Sequence, residues 1–296
     1  MLVSTQRPTW RPAPGWPQAP EGWTPPPGWV PPPDWPPAPA DWVFWAPPEP
    51  AAPVKPVELT RSGLVTETRL VMIAGLFPWV VSAVVIIGAH VATGKQLSQL
   101  PTYTPGQPVL NTVLGLLSYM PVAAVVPLVL LLLYRTGQRP ADLGLTRVGR
   151  FDLPVAIGIA AAAFGLELLL AILLAPLDHS RLVNTAGTLH VPTYYLIFGI
   201  SQSLFTAVAE EVIVNGYLIT RLDQLGWSPA KAFWLSLALR TSYHVYYGIA
   251  VIFTVPFGWL VTRSFQRHRK LARPILAHFL FDASTFTIAI LLAGHH

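Results

Sequence analysis

The chain has 296 residues, no cysteine and a formal net charge of +5, with 11% of residues charged against 52% hydrophobic. Soluble domains carry about 25% charge, so a soluble globular protein is excluded, and the missing thiols exclude disulfides, cysteine nucleophiles and Cys-based metal sites. The basic residues fall in short loops beside apolar runs, which reads as orientation in a membrane and not as nucleic-acid binding.

Residues 1–60 hold 19 of the 32 prolines and 7 of the 11 tryptophans. Trp10, Trp16, Trp23, Trp29, Trp35 and Trp42 follow one another at steps of 6, 7, 6, 6 and 7 residues, in a unit that reads roughly Pro-Pro-Gly/Asp-Trp. Proline at this density forbids helix and favours extended polyproline II. The expectation is a disordered cytoplasmic tail without a packed domain. A docking segment for a partner, or indoles resting at the membrane interface, are the sharper alternatives.

Seven apolar runs follow. They are Leu70 to Val91, Val109 to Tyr134, Leu153 to Leu177, Tyr194 to Ile219, Ala230 to Tyr247, Ile249 to Val261 and Pro274 to Ala293. A bilayer-crossing helix needs about 20 residues. Lys and Arg are dense before the first run, between the second and third, after the fourth, and from Arg263 to Arg273, and sparse in the loops between. This alternation predicts an all-α polytopic membrane protein of about seven helices, with the N-terminus cytoplasmic and the C-terminus outside. The domains expected are the tail 1–60, N-terminal membrane helices 61–192, and a helical bundle 193–293 that carries the chemistry.

The fourth run contains two adjacent carboxylates, Glu210 and Glu211. A charged group at membrane depth costs about 2.5–3.5 kcal/mol on insertion scales, and a pair repels itself besides. The fifth run adds Arg240 and His244, and the seventh adds His278 and Asp282. Each of these pairs is spaced i, i+4 and so shares a helix face, as do Glu211 and Asn215. Ser203, Glu210 and Tyr217, at steps of seven, would share a stripe. Glu210 and Glu211 lie about 100° apart on an α-helix, which predicts different roles: one faces the reacting centre, the other ties the site together. Glu167, in the third run, stands alone as a supporting or lipid-edge residue.

A Glu with a His activates water as general base, and a second His with a neutral donor holds an oxyanion. Together they hydrolyse an acyl bond, most simply a peptide. Alternatively His244, His278 and the carboxylates Glu210 or Asp282 would hold zinc with an open position for water, although there is no His-Glu-x-x-His motif. Serine chemistry lacks a Gly-x-Ser-x-Gly elbow.

The three motifs, Glu210-Glu211-Val-Ile-Val-Asn215, Tyr243-His244 and His278-Phe-Leu-Phe-Asp282, together resemble those of the CPBP family of intramembrane proteases. This family is also known as the CAAX protease, bacteriocin-processing or Abi family. The resemblance covers about residues 195–290. It implies an endopeptidase in which Glu210 and His244 activate the water, His278 and Asp282 form the oxyanion side, and Glu211 orients the site. It also implies a bacterial plasma membrane, surrounding lipid, and a peptide or membrane-protein substrate, while leaving zinc open. Asn215 departs from the family's Arg, for which Arg240 is the substitute candidate, and Asp282 departs from the Asn of prenyl proteases. The rival readings are a non-catalytic immunity or scaffolding protein and a proton-coupled transporter.

Overall fold

A computed structural model describes residues 9–20, 23–46, 56–93, 107–175 and 195–293. Two units are separable, Met1–Lys55 and Pro56–His296.

The first unit corrects the expectation of a tail without packing. The backbone N–H groups of Trp16, Trp23, Trp29, Trp35 and Trp42 each donate to the carbonyl three residues earlier, at 3.0 Å. The repeat is therefore a series of β-turns. Pro14 and Pro27 sit at the second turn position, where the ring presets φ, and Gly15 and Gly28 follow at φ 85° and 81°, as a type II turn requires. Each turn presents an indole, and the indoles bury one another. Trp16 meets Trp35 at 5.2 Å and Trp10 meets Trp29 at 5.9 Å between ring centroids. Trp16 is 8% exposed and its Nε1 donates to the Pro36 carbonyl at 2.7 Å. A two-residue antiparallel pair, β1 (Thr9–Trp10) with β2 (Trp45–Ala46), closes the unit. The extended reading fails because a proline followed by Gly or Asp turns the chain as readily as it extends it. Residues 1–8, 21–22 and 47–55 of the expected tail lie outside the described residues.

The second unit is helical over its described residues: α1 (Arg61–Thr93), α2 (Pro108–Ala123), α3 (Val125–Arg135), α4 (Asp152–Leu174) and α5 (Tyr195–Glu210). A π-helical segment, Glu211–Leu218, continues α5 into α6 (Ile219–Gln224). Then come α7 (Pro229–Ser242), a 3₁₀ segment Val245–Phe253, α8 (Thr254–His268) and α9 (Ala272–Ala293). Among the described residues, three helices are long and apolar enough to cross a membrane: Arg61–Gly88, Asp152–Leu174 and Leu196–Gln224. The chain is an integral membrane protein. α4 exposes Ile157, Leu168, Ile172 and Leu173, a face suited to lipid.

Of the other expected spans, the seventh is the continuous 22-residue helix α9, and the second, fifth and sixth are shorter or interrupted. The second run breaks at Ala124 between α2 and α3. The fifth and sixth become α7, with 14 residues, and α8, with 15. At 1.5 Å per residue α7 reaches about 21 Å, short of a hydrocarbon core of about 30 Å. α7 and α8 instead form an antiparallel pair, tied at one end where Gln266 donates to the Pro229 carbonyl at 2.7 Å. His244 stands in the turn at the other end.

The basic loops gather at one end of this unit. Asp152, 1% exposed, accepts from Arg273 at 2.8 Å and from Lys270 at 3.2 Å. Arg221 donates to Glu67 at 2.7 Å, and the Tyr217 hydroxyl donates to the same carboxylate at 2.7 Å. Arg269 pairs with Asp223. Gly144, at φ 84°, lets its carbonyl accept from Leu271 at 2.9 Å. An apolar core of Val71, Val129, Leu133, Ile213, Phe265 and Leu271 joins α1, α3, the π segment and the start of α9. It fixes the π segment, all eight residues of which are buried.

Candidate active site

Glu210 ends α5 and is 3% exposed; Glu211 opens the π segment and is fully buried. Both face the same guanidinium. Arg240, from α7, donates from Nη1 to Glu210 Oε2 at 3.1 Å and from Nη2 to Glu211 Oε1 at 2.7 Å. Breaking such a buried pair leaves an uncompensated charge, at about 3–5 kcal/mol. The stem of Arg240 crosses Gly258 of α8, where an added Cβ would stand 2.9 Å from Arg240 Cδ.

Each carboxylate has further partners. The Tyr243 hydroxyl donates to Glu210 Oε2 at 2.6 Å. Asn215 Nδ2 donates to Glu211 Oε2 at 2.5 Å, and Ser236 Oγ supports Asn215 by donating to its Oδ1 at 3.3 Å. His278 Nδ1 lies 2.9 Å from Glu211 Oε1, and its Nε2 lies 3.3 Å from Asp282 Oδ2. Glu211 is tied by three side chains from three elements; the hydrogen bonds to Glu210 come from Arg240 of α7 and Tyr243 in the turn after it.

His244 follows Tyr243 directly. Its ring stacks on Tyr247 at 5.9 Å with the planes 13° apart. Its Nδ1 is buried and has no hydrogen-bond partner among the described residues. Arg240, His278 and Asp282 are all in electrostatic reach of it. Asp282 is the most open of the set, with 34% of its side chain exposed.

One sequence expectation is redrawn. Ser203, discounted as a nucleophile from the sequence, donates its hydroxyl to the Gly199 carbonyl at 2.7 Å, the ordinary habit of serine in a membrane helix. Tyr217 leaves the Glu210 stripe for Glu67, because the π segment widens the turn and breaks the seven-residue register. Tyr243 entered the sequence reading as the aromatic of the second motif but without a role; Ser236 and Gly258 were not singled out, since their roles arise only from helix packing.

Both oxygens of Glu211 are engaged, Glu210 Oε2 is engaged twice, and both nitrogens of His278 face carboxylates. The guanidinium of Arg240 holds the place between the twin acids that a metal cation would take. Among the described residues, no group of three or more His, Asp or Glu is arranged to hold a metal ion. This arrangement does not fit zinc.

Residues 192–284 match the family model of Rce1-like type II CAAX prenyl endopeptidases. This segment is CAAX-protease-like. The match takes in Glu210, Glu211, Asn215, Arg240, His244, His278 and Asp282, and it leaves out α1 to α4 and the tryptophan unit. No curated protein and no solved structure matches the chain. CAAX-protease similarity therefore rests on residues 192–284, the part of the chain in which the polar groups converge.

Proposed function

We propose that the chain is an intramembrane endopeptidase that hydrolyses a peptide bond of a membrane-associated substrate without a metal. The observation that carries this reading is the convergence of three motifs, from α5, the end of α7 and α9, on one buried cluster. A proton path would string such groups from face to face; here they meet at one place. In this reading Glu210, next to His244, takes a proton from water, and the hydroxide adds to the substrate carbonyl. His278 and Asp282 stabilise the oxyanion that forms. The proton held by Glu210 passes to the amide nitrogen as the C–N bond breaks. Glu211, locked by Arg240, Asn215 and His278, keeps the imidazole of His278 in place. The basic end of the bundle faces the cytoplasm of a bacterial plasma membrane in this reading.

The test is hydrolysis of a farnesylated Cys-aliphatic-aliphatic-X peptide, and comparison of membrane proteomes, with wild type and Glu210→Gln. Glu210→Gln removes the base with little change in volume. It is expected to abolish cleavage and to let the substrate accumulate in the membrane. Cleavage by neither protein, with a membrane proteome unaltered by this variant, overturns the reading in favour of a scaffold; unaltered cleavage by the variant removes Glu210 as the base.

A further inference from the structure

One turn of α5 separates Glu210 from Thr206, and one more separates Thr206 from Gln202, so the three share a face of the helix. The far end of this stripe is met by Tyr119 of α2, which lies outside residues 192–284: Gln202 Nε2 donates to its hydroxyl at 2.7 Å. The near end is met by Tyr243, whose hydroxyl donates to Glu210 Oε2. Tyr119 is also in electrostatic reach of Glu210, Asp282 and Tyr247. The stripe therefore runs along the side of α5 on which the polar groups of the site gather.

Two buried atoms of the stripe, Gln202 Oε1 and Thr206 Oγ1, have no hydrogen-bond partner among the described residues. A buried polar atom without a partner is costly. The neighbouring hydroxyls avoid that cost by donating to the carbonyl one turn earlier: Ser203 to Gly199, Thr241 to Leu237, Thr285 to Phe281 and Thr287 to Ala283. Thr206 departs from this habit. Thr220 and Thr262 are unpartnered as well, but they stand on α6 and α8. Both hydrogen bonds to Glu210 fall on Oε2, so Oε1 is the oxygen open to a reactant. The stripe thus presents a carboxylate oxygen, a hydroxyl and an amide oxygen in a row, each one turn from the next.

Four residues of α-helix rise about 6 Å, and two residues of an extended chain advance about 6.5 Å. Rungs at Glu210, Thr206 and Gln202 therefore keep pace with alternate peptide groups of an extended segment laid along α5. A helical segment offers no such match, because its N–H and C=O groups are spent on each other.

We propose that Thr206 and Gln202 bind the main chain of the substrate. With the scissile carbonyl at Glu210, the peptide group two residues along donates its N–H to Thr206 Oγ1, and the group four residues along donates to Gln202 Oε1. The placing of the scissile bond rests on the protease reading above. The substrate class is then a segment that is extended, not helical, where it meets α5, and it is held there through its backbone and not through particular side chains.

The test is peptide binding to the full chain in lipid nanodiscs, read by stopped-flow fluorescence of a labelled farnesylated peptide before turnover. Two isomers of the peptide are compared, one with esters in place of its odd-numbered amides and one with esters in place of its even-numbered amides. Composition and lipid are then equal, and only one isomer lacks the N–H groups that face α5. The isomers are expected to differ in Kd about three- to tenfold. Thr206→Val combined with Gln202→Leu is expected to weaken binding of the all-amide peptide by a similar factor and to erase the difference between the isomers. Gln202→Met alone, expected to shrink that difference, serves if the double variant fails to fold. Equal Kd values for the isomers in the wild type, a difference that survives in the variants, or no binding to the wild type overturns the proposal. If the isomers differ as expected while no peptide is cleaved, the protease reading fails and the binding stripe stands.

Discussion

Arg240 reaches the twin carboxylates across the bare Cα of Gly258. A methyl group there would lie 2.9 Å from both Arg240 Cδ and Leu237 Cδ1, well inside van der Waals contact. The guanidinium is the groups' common partner, so its displacement alters both Glu210 and Glu211. Gly258→Ala is expected to lower kcat about ten- to a hundred-fold, since a displacement of about 1 Å at a site is worth that much. KM should change little. Kinetics on the farnesylated peptide, with thermal unfolding as a control for the fold, checks this.

The same geometry predicts how Arg240 and Glu211 couple. Removing Arg240 strands buried carboxylates, which costs about 3–5 kcal/mol, whereas removing the charge of Glu211 leaves Arg240 its pair with Glu210 and unties His278. Arg240→Met and Glu211→Gln should each cost the activity nearly completely, and Arg240→Met should lower the unfolding temperature more. The double variant leaves Glu210 as the uncompensated acid but strands no Arg. It should be no less stable than Arg240→Met, and losses that add in full would show that the two residues act separately. Wild-type activity in Arg240→Met would reject Arg240 as the substitute for the cation missing at position 215.

Much of this was legible in the sequence because it rests on cost. Ionisable residues are expensive in lipid, so Glu210, Glu211, Arg240, His244, His278 and Asp282 stood out from the apolar runs without any structure. Helical spacing then paired His278 with Asp282 and Glu211 with Asn215, and both pairs touch. The π segment was not legible. Its wider turn is held by burial against Leu133, Phe265 and Leu271 from other elements, and no local residue pattern encodes it. The seven-residue stripe joining Ser203, Glu210 and Tyr217 therefore failed at Tyr217. Lengths of apolar runs also misled: α7 and α8 read as two spans, yet they are short helices that bring His244 to the level of the acids. In the proline-rich segment, composition pointed to extension, whereas the position of each Gly or Asp after a proline encoded turns.

Those turns make the tryptophan unit testable. Trp16 is the buried centre of its ring cluster, touching Trp29, Trp35 and Phe44. Truncating a buried Trp to Ala costs about 3–5 kcal/mol, more than a unit of this size is expected to hold in reserve. Trp16→Ala should abolish the near-ultraviolet circular dichroism that arises from the packed indoles. Trp45→Ala, at a residue 42% exposed, should leave most of it. A spectrum unchanged by Trp16→Ala would return this segment to the extended chain that its composition suggested.

The absence of a fit for zinc leads to the last expectation. A catalytic zinc needs about three protein ligands with lone pairs free to point at one position. Here the position between the acids is filled by a guanidinium, and His278 spends Nδ1 on Glu211 and Nε2 on Asp282. Water activation then falls to Glu210, and the rate should not depend on a divalent ion. Treatment of the purified protein with a strong zinc chelator, followed by its removal, should leave hydrolysis of the farnesylated peptide unchanged within about twofold, and elemental analysis should find zinc well below one equivalent. If chelation abolishes the rate and added zinc restores it, Arg240 must release the carboxylates on substrate binding. Asn215→Asp, which adds a ligand beside Glu211, should then tighten zinc binding; if the reaction is metal-free, that variant should simply add a repelling charge and slow the reaction.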